Sequence, residues 1–229
     1  MKLLAAFAIL LIGANASVLP VPSEAIAEGK NDARFIEGII ADILDLISNY
    51  LAANGYDPYE VDSLEYQYRL PVTDLFALDA ELKGLKLAGG SNIVLHNINY
   101  AVLASRLTFD VSLPRLSAAV DSSALDVTFF GGNLNVGLGG SVALVETRLK
   151  VDVRINISVI GGISIRTLDI DFTLRGIESE LDLRIQDVDY SEPINKLLGA
   201  TIPNALEANR DELNELLEYI VLQIAESIL

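Results

Sequence analysis

From Phe35 the apolar residues recur at helical spacing: Phe35, Ile36, Ile39, Ile40, Ile43, Leu44, Ile47 and Leu51, with Glu37, Asp42, Asp45 and Asn49 filling the other side. Steps of three and four residues put such a set on one face, so an amphipathic helix is predicted from residue 32, with Asp32 as its N-cap. Gly55 and Asp57-Pro58 break it. The period then changes to two over about residues 64–188. Leu107, Phe109, Val111 and Leu113 interleave with Arg106, Thr108, Asp110 and Ser112. From Val145 to Val159 the set Val145, Thr147, Leu149, Val151, Val153, Ile155, Ile157 and Val159 alternates without a slip against Glu146, Arg148, Lys150, Asp152, Arg154, Asn156 and Ser158. Leu168, Ile170, Phe172 and Leu174 repeat the pattern. Such alternation predicts strands with one face inward and one in water. Paired glycines at 89–90, 131–132, 139–140 and 161–162 are expected between the runs, in hairpins or sharp bends. Helical spacing then returns, with Leu213, Leu216, Leu217, Ile220, Val221, Ile224 and Ile228 on one side and Asp211, Glu212, Glu215, Glu218 and Glu226 largely on the other. A short helix is expected near Pro193–Leu198, and a long one from Asn204 to Leu229.

The lengths suggest how these pieces combine. A strand of the Val145–Val159 run spans about 50 Å, and the last helix spans about 39 Å. Each has one apolar face. The economical arrangement is α+β: a long, strongly curved antiparallel sheet wrapped around one or two long amphipathic helices. A sheet curled along such a length leaves an elongated apolar gap, the kind of concave surface that binds small apolar molecules.

The chain ends and the charge refine this picture. Met1-Lys2, the apolar run Leu3–Ile12 and Ala14-Asn15-Ala16 have the three-part layout of a secretory signal peptide over residues 1–16, cut before Ser17, so the protein is expected outside the cell. Residues 17–31 read as a flexible leader and 32–229 as a single domain. The net charge is −16 over 229 residues, and −17 once Lys2 is removed with the signal segment. That charge excludes nucleic acid as a partner and opposes capture of anionic lipid. No later run of 18 apolar residues occurs, so no stable membrane insertion is expected. With no cysteine there is no disulfide, thiolate nucleophile or Cys-containing zinc site. Asn156-Ile157-Ser158 is a glycosylation sequon, and Asn156 falls on a polar strand face.

Candidate chemistry is sparse. His96 is the single histidine and no Gly-x-Ser-x-Gly accompanies it, so a structural or surface role is expected. Asp169/Asp171 and Asp187/Asp189 lack EF-hand spacing, and no glycine pair is followed by a phosphate-loop Lys-Ser/Thr. No cofactor, metal or enzymatic activity is therefore expected. Tyr50, Tyr56, Tyr59, Tyr66 and Tyr68 cluster after the first helix, where they either pack the helix–sheet junction or grip a ligand's polar head.

The helix ended by Asp57-Pro58, Leu82-Lys83-Gly84-Leu85-Lys86-Leu87 opening the sheet, and the long C-terminal helix give the chain a layout that resembles the arthropod group 7 mite allergens and the related takeout and haemolymph juvenile-hormone-binding proteins. The resemblance implies a single tubular lipid-binding module of the bactericidal permeability-increasing type (BPI-like, TULIP). It further implies a secreted, non-enzymatic carrier of a lipid or other small hydrophobic ligand. Hormone binders of this kind usually carry an N-terminal cysteine pair. Its absence here favours the allergen-like branch. The expected cavity wall is Phe109, Val111, Leu149, Val151, Val153, Ile155, Ile170 and Phe172 from strands, with Ile40, Ile43, Ile220 and Ile224 from helices. Two other readings stay open: a surfactant-like or immune-recognition protein of the same fold without a dedicated ligand, and, on alternation alone, an outer-membrane barrel. A homodimer also stays open.

Overall fold

The computed structural model describes residues 33–72, 75–158 and 162–228. The signal segment, the leader and the Asp32 cap lie outside them. Helix α1 spans Ala33–Ala53. Strands follow as β1 (Tyr59–Arg69), β2 (Phe76–Ala88), β3 (Val94–Ala101), β4 (Arg106–Phe129), β5 (Gly132–Ser158), β6 (Gly162–Ile185) and β7 (Val188–Asp189). Helices α2 (Ser191–Lys196), α3 (Ile202–Ala208) and α4 (Arg210–Ile228) close the chain, α2 and α3 being joined by a π-helical stretch, Leu197–Thr201. Among the described residues the strands form one antiparallel sheet, ordered β1-β2-β4-β5-β6-β7. β3 shares a flank of β4 with β2: it lies beside Arg106–Ser112, and β2 beside Ser117–Phe129.

The sheet curls so that α1 and α4 share its apolar face. Ile40 and Leu44 of α1 and Val221 of α4 are buried together with Tyr100, Leu107, Phe109, Val111, Val151, Val153 and Ile170 of β3–β6. Both free edges beside this core are sealed by helix side chains, which accept from strand N–H groups that would otherwise be buried without partners. Glu37 Oε1 accepts from Tyr100 N at 3.0 Å on β3. On β6, Glu218 Oε1 accepts from Ile170 N at 2.9 Å and Asn214 Oδ1 from Phe172 N at 3.0 Å. Asn195 of α2 imitates a further strand, accepting from Leu181 N at 2.9 Å and donating to Leu181 O at 2.8 Å.

The expectations for the 139–140 glycines and for one continuous last helix need correction. The glycines at 139–140 are not between strands but inside β5, which runs 27 residues. Gly140 has φ +104, and a Cβ there would lie 2.0 Å from Glu180 O, so glycine permits a close backbone approach in mid-strand. The last helix is also not continuous. Asn209 (φ −119, ψ 35) interrupts it, and its Nδ2 donates to Ala205 O at 2.7 Å.

The alternation expected without a slip from Val145 is broken: β5 changes phase at Glu146, and Val145 lies on the outer face with Arg115. The apolar positions of β5 are even-numbered from Leu134 to Leu144 and odd-numbered from Thr147 to Val153. Between the two sets Glu146 has φ 53, a left-handed residue that breaks the extended path. At the same level β4 has Pro114 and β6 has Arg175-Gly176, flanked by the pairs Leu113↔Thr147, Arg115↔Val145, Thr147↔Leu174 and Val145↔Gly176. Three strands thus change phase along one transverse line. Charged pairs keep the outer face on both sides of it: Arg148–Asp110 at 2.6 Å on one, and on the other Arg115–Glu178 at 2.6 Å, spanning β5 above buried Ala143.

Asp57 ties the end of α1 to the β2–β3 turn, accepting from Gly89 N at 2.7 Å and Ser91 N at 2.5 Å. Burial raises its carboxyl pKa, but the hydrogen bonds from Ser91 and Gly89 outweigh this and the net shift is downward. A carboxylate held below its unfolded value of about 3.9 contributes fully above that pH, and the contribution is lost as pH falls through the folded value. Asp57→Ala is expected to cost about 2 kcal/mol at neutral pH. The gap from wild type should narrow between neutral pH and a pH below the folded value. Urea unfolding at both pH values checks this. An equal gap at both would remove the role assigned to the charge.

Candidate functional site

The candidate site is the apolar face of the sheet, and it has two parts. At the helix-covered end, cross-strand rows run Tyr100–Leu107–Val153–Leu168, Ile98–Phe109–Val151–Ile170 and Leu95–Val111–Leu149–Phe172. β6 keeps its apolar face here by placing one extra residue, Arg166, opposite the Arg154/Ile155 step, which brings Ile165 onto the core. The opposite face carries Arg106–Asp152, Arg148–Asp110 and Lys150–Asp171, the last at 3.6 Å, with Arg210 also on Asp171. The Arg148 guanidinium hydrogen-bonded to Asp110, and Arg106 likewise to Asp152, hold both carboxyls below the usual range.

Of the expected wall, this end gathers Ile40, Phe109, Val111, Val151, Val153 and Ile170 into the packed core. Leu149 packs against it, and Ile43, Phe172 and Ile224 are half-buried. Ile220 sits at the margin, 38% exposed. The side chains of Ile155 and Asn156 lie outside the described residues. The buried side of α4 is rotated from the stripe expected on sequence: Val221 and Ala225 are buried and Leu216 is 54% exposed. Rotation follows from edge sealing, because Asn214 and Glu218 must face β6 and the residues stacked on them at helical spacing are Leu217, Val221 and Ala225.

Beyond the phase change the rows continue past α1 and α4, with α2 at their β6 edge, where Ser191 Oγ accepts from Leu183 N at 3.0 Å. The rows run Leu64–Leu82–Ser123–Leu138–Leu183, Tyr66–Ala80–Leu125–Val136–Ile185 and Tyr68–Leu78–Val127–Leu134. Leu64, Tyr66, Tyr68 and Leu134 are exposed and the inner members of these rows half-buried. Their reverse face is polar, with Arg69 donating to both oxygens of Asp79 at 2.9 and 3.0 Å. The outcome is an apolar trough floored by five strands. These residues were missed as site candidates, although their alternation was visible, because alternation does not say where the helices stop. The tyrosine cluster divides: Tyr50 and Tyr56 stack at the helix–strand corner, with centroids 6.0 Å apart, whereas Tyr66 and Tyr68 line the trough. Where core and trough meet, Thr147 Oγ1 is, among the described residues, buried without a hydrogen-bond partner.

The remaining candidates are engaged locally. His96 Nε2 lies 2.7 Å from Ser112 Oγ, and the neighbouring Asp110 is taken up by Arg148. Asp189 Oδ1 accepts from Ser191 N at 2.8 Å. Among the described residues no group of three His, Cys, Asp or Glu side chains could hold a metal. No helix there is long and apolar enough to cross a membrane.

With this geometry in place, sequence comparison decides the family. The haemolymph juvenile hormone binding protein (JHBP) family matches residues 33–229, from the first residue of α1 to the end of the chain. The chain belongs to that family. No curated protein matches it by sequence. Among solved structures it is similar to Takeout 1 of Epiphyas postvittana, with 15% identity, 86% of this chain and 88% of that one covered and a TM-score of 0.36. It is also similar to lipopolysaccharide binding protein, with 14% identity, 80% and 36% covered and a TM-score of 0.27. The JHBP match takes in both α1 and α4, the two helices that close the core, and all strands of the trough.

Proposed function

We propose that this JHBP-family chain is a secreted, non-enzymatic carrier of a lipid or other small hydrophobic ligand held along the apolar face of the sheet. The observation that carries this reading is the trough: one continuous apolar floor, buried by helices at one end and open at the other. A ten-carbon chain leaving water for such a surface gains about 8 kcal/mol before entropic costs. Ile43, Leu149, Phe172, Ile220 and Ile224, at the margin of the core, would meet a ligand entering from the trough. The buried wall residues from Ile40 to Ile170 would form its inner end. Thr147 Oγ1 offers such a ligand one polar anchor, since a buried hydroxyl without a partner is costly until something satisfies it. The same reading places the signal peptide at residues 1–16, a glycan at Asn156 and, on the missing cysteine pair, kinship nearer the group 7 mite allergens than the hormone carriers.

Extraction and mass spectrometry of protein secreted from its native source is expected to release a bound lipid. Leu125→Glu, which puts a charge on the trough floor, is expected to weaken binding of a fluorescent fatty probe by about tenfold or more. A clean extract together with no probe binding would overturn the carrier. Lowered surface tension without probe binding would favour the surfactant-like reading instead.

A further inference from the structure

At the end of the sheet farthest from α1 and α4, the turn joining β4 to β5 exposes two adjacent phenylalanines. Phe129 is 60% and Phe130 71% exposed, with ring centroids 4.6 Å apart in an edge-to-face pair. Phe130 has φ 49, a left-handed conformation that a bulky side chain rarely takes and that glycine or asparagine takes more readily. Its backbone N–H donates to Leu75 O at 3.2 Å, which draws the β1–β2 connection to the same tip. Val72, Leu75, Leu134 and Tyr68 are exposed beside it. The β4–β5 hairpin is itself uncharged, and the one charge in the 70–75 connection is the acidic Asp74. No charged residue occurs from Val127 to Val145, in a chain of net charge −16. The nearest cation along β1, Arg69, is neutralised by Asp79.

From these observations we infer that the tip formed by Tyr68, Val72, Leu75, Phe129, Phe130 and Leu134 is a docking site for an electrically neutral, zwitterionic lipid surface. Exposed phenylalanines with a tyrosine beside them match the layer between headgroups and acyl chains, where an aromatic ring buries its body and a hydroxyl stays wet. Charge selects the kind of lipid. With no free Lys or Arg among the described residues of the tip and an acidic body behind it, an anionic surface repels the protein, and a neutral one does not. A second copy of the chain is the poorer occupant, because two bodies of charge −16 would be brought together. The docking does not depend on the carrier reading, although the Tyr68–Leu78–Val127–Leu134 row makes the tip the open end of the trough.

Flotation with phosphatidylcholine vesicles tests the inference. Wild type is expected to float with them at low and at high salt alike, and to float less as phosphatidylserine is added. Phe130→Asn is expected to weaken partitioning by about tenfold while leaving the thermal midpoint equal or higher, since asparagine relieves the left-handed backbone. Phe129→Ser should weaken it similarly, and Phe130→Trp should retain it. Absence of wild-type binding, a preference for anionic vesicles, or unchanged binding by both Phe130→Asn and Phe129→Ser would each overturn the proposal. So would a tip-dependent dimer that binds no vesicles. Fatty-probe binding in vesicle-free solution should be untouched by Phe130→Asn, which separates this test from that of the carrier.

Discussion

Replacing Phe109 by alanine is expected to destabilise the protein by about 3–5 kcal/mol, the range for deleting a buried aromatic ring. Phe109 is 8% exposed and lies mid-row between Ile98 and Val151. Its buried neighbours come from both helices as well as from the sheet. Four strands and two helices meet there, so the surroundings cannot collapse onto the space without moving an element whose backbone is hydrogen-bonded elsewhere. The cavity term should therefore add to the lost transfer energy. Urea unfolding with an unchanged slope and a lowered midpoint is the expected signature. A loss below about 1 kcal/mol would mean that the helices are not packed on the sheet as described.

Gly140→Ala should be nearly as damaging, at about 3 kcal/mol, although it adds a single methyl group. The alanine would have to hold φ +104 with its Cβ 2.0 Å from the Glu180 carbonyl oxygen. That oxygen belongs to the backbone of the neighbouring strand and cannot rotate away, so relief requires opening the β5–β6 ladder between Leu181 and Glu180. Gly131→Ala is the informative control: it also has positive φ, but a Cβ there meets nothing within 4 Å. It should cost only the left-handed penalty, about 1 kcal/mol. Thermal unfolding of the two variants side by side checks the difference. Equal losses would show that backbone conformation alone, and not the close strand approach, fixes the glycine.

Much of this was legible in the residues, element by element. The spacing from Phe35 to Leu51 predicts the helix found at Ala33–Ala53, because a helix repeats every few residues and needs no distant partner to show its face. The alternation from Thr147 to Val153 predicts the face that β5 buries for the same reason, whereas Val145, beyond the Glu146 break, lies on the other face. The misreadings share one origin. Gly139-Gly140 looks like a turn locally, yet it serves the neighbouring strand. Glu218 and Glu37 look like solvent-facing polar positions, yet together with Asn214 they complete the edges of β6 and β3. Each is settled by a group far away in the chain.

The site divides along the same boundary. Phe109, Val151, Val153 and Ile170 were identifiable as inward-facing, but whether an inward-facing residue is packed or open depends on what lies over it. α1 and α4 cover the rows of Tyr100–Val111 and leave those of Leu64–Leu82 and Leu125–Val136 bare, so core and trough are built from the same residue types.

The sequence by itself determined the apolar face of α1 and of the strands on either side of their phase change, the order of the elements, and a net charge of −16. These are one-dimensional properties, fixed by periods of two and 3.6 residues and by simple counting. Only the tertiary structure decided where the helices stop along the sheet, which polar side chains seal its edges, where three strands change phase together, and that two phenylalanines of a charge-free hairpin stand exposed at its end. Those outcomes depend on strand register and on how far a helix reaches, which are relations between segments tens of residues apart. No local pattern encodes them.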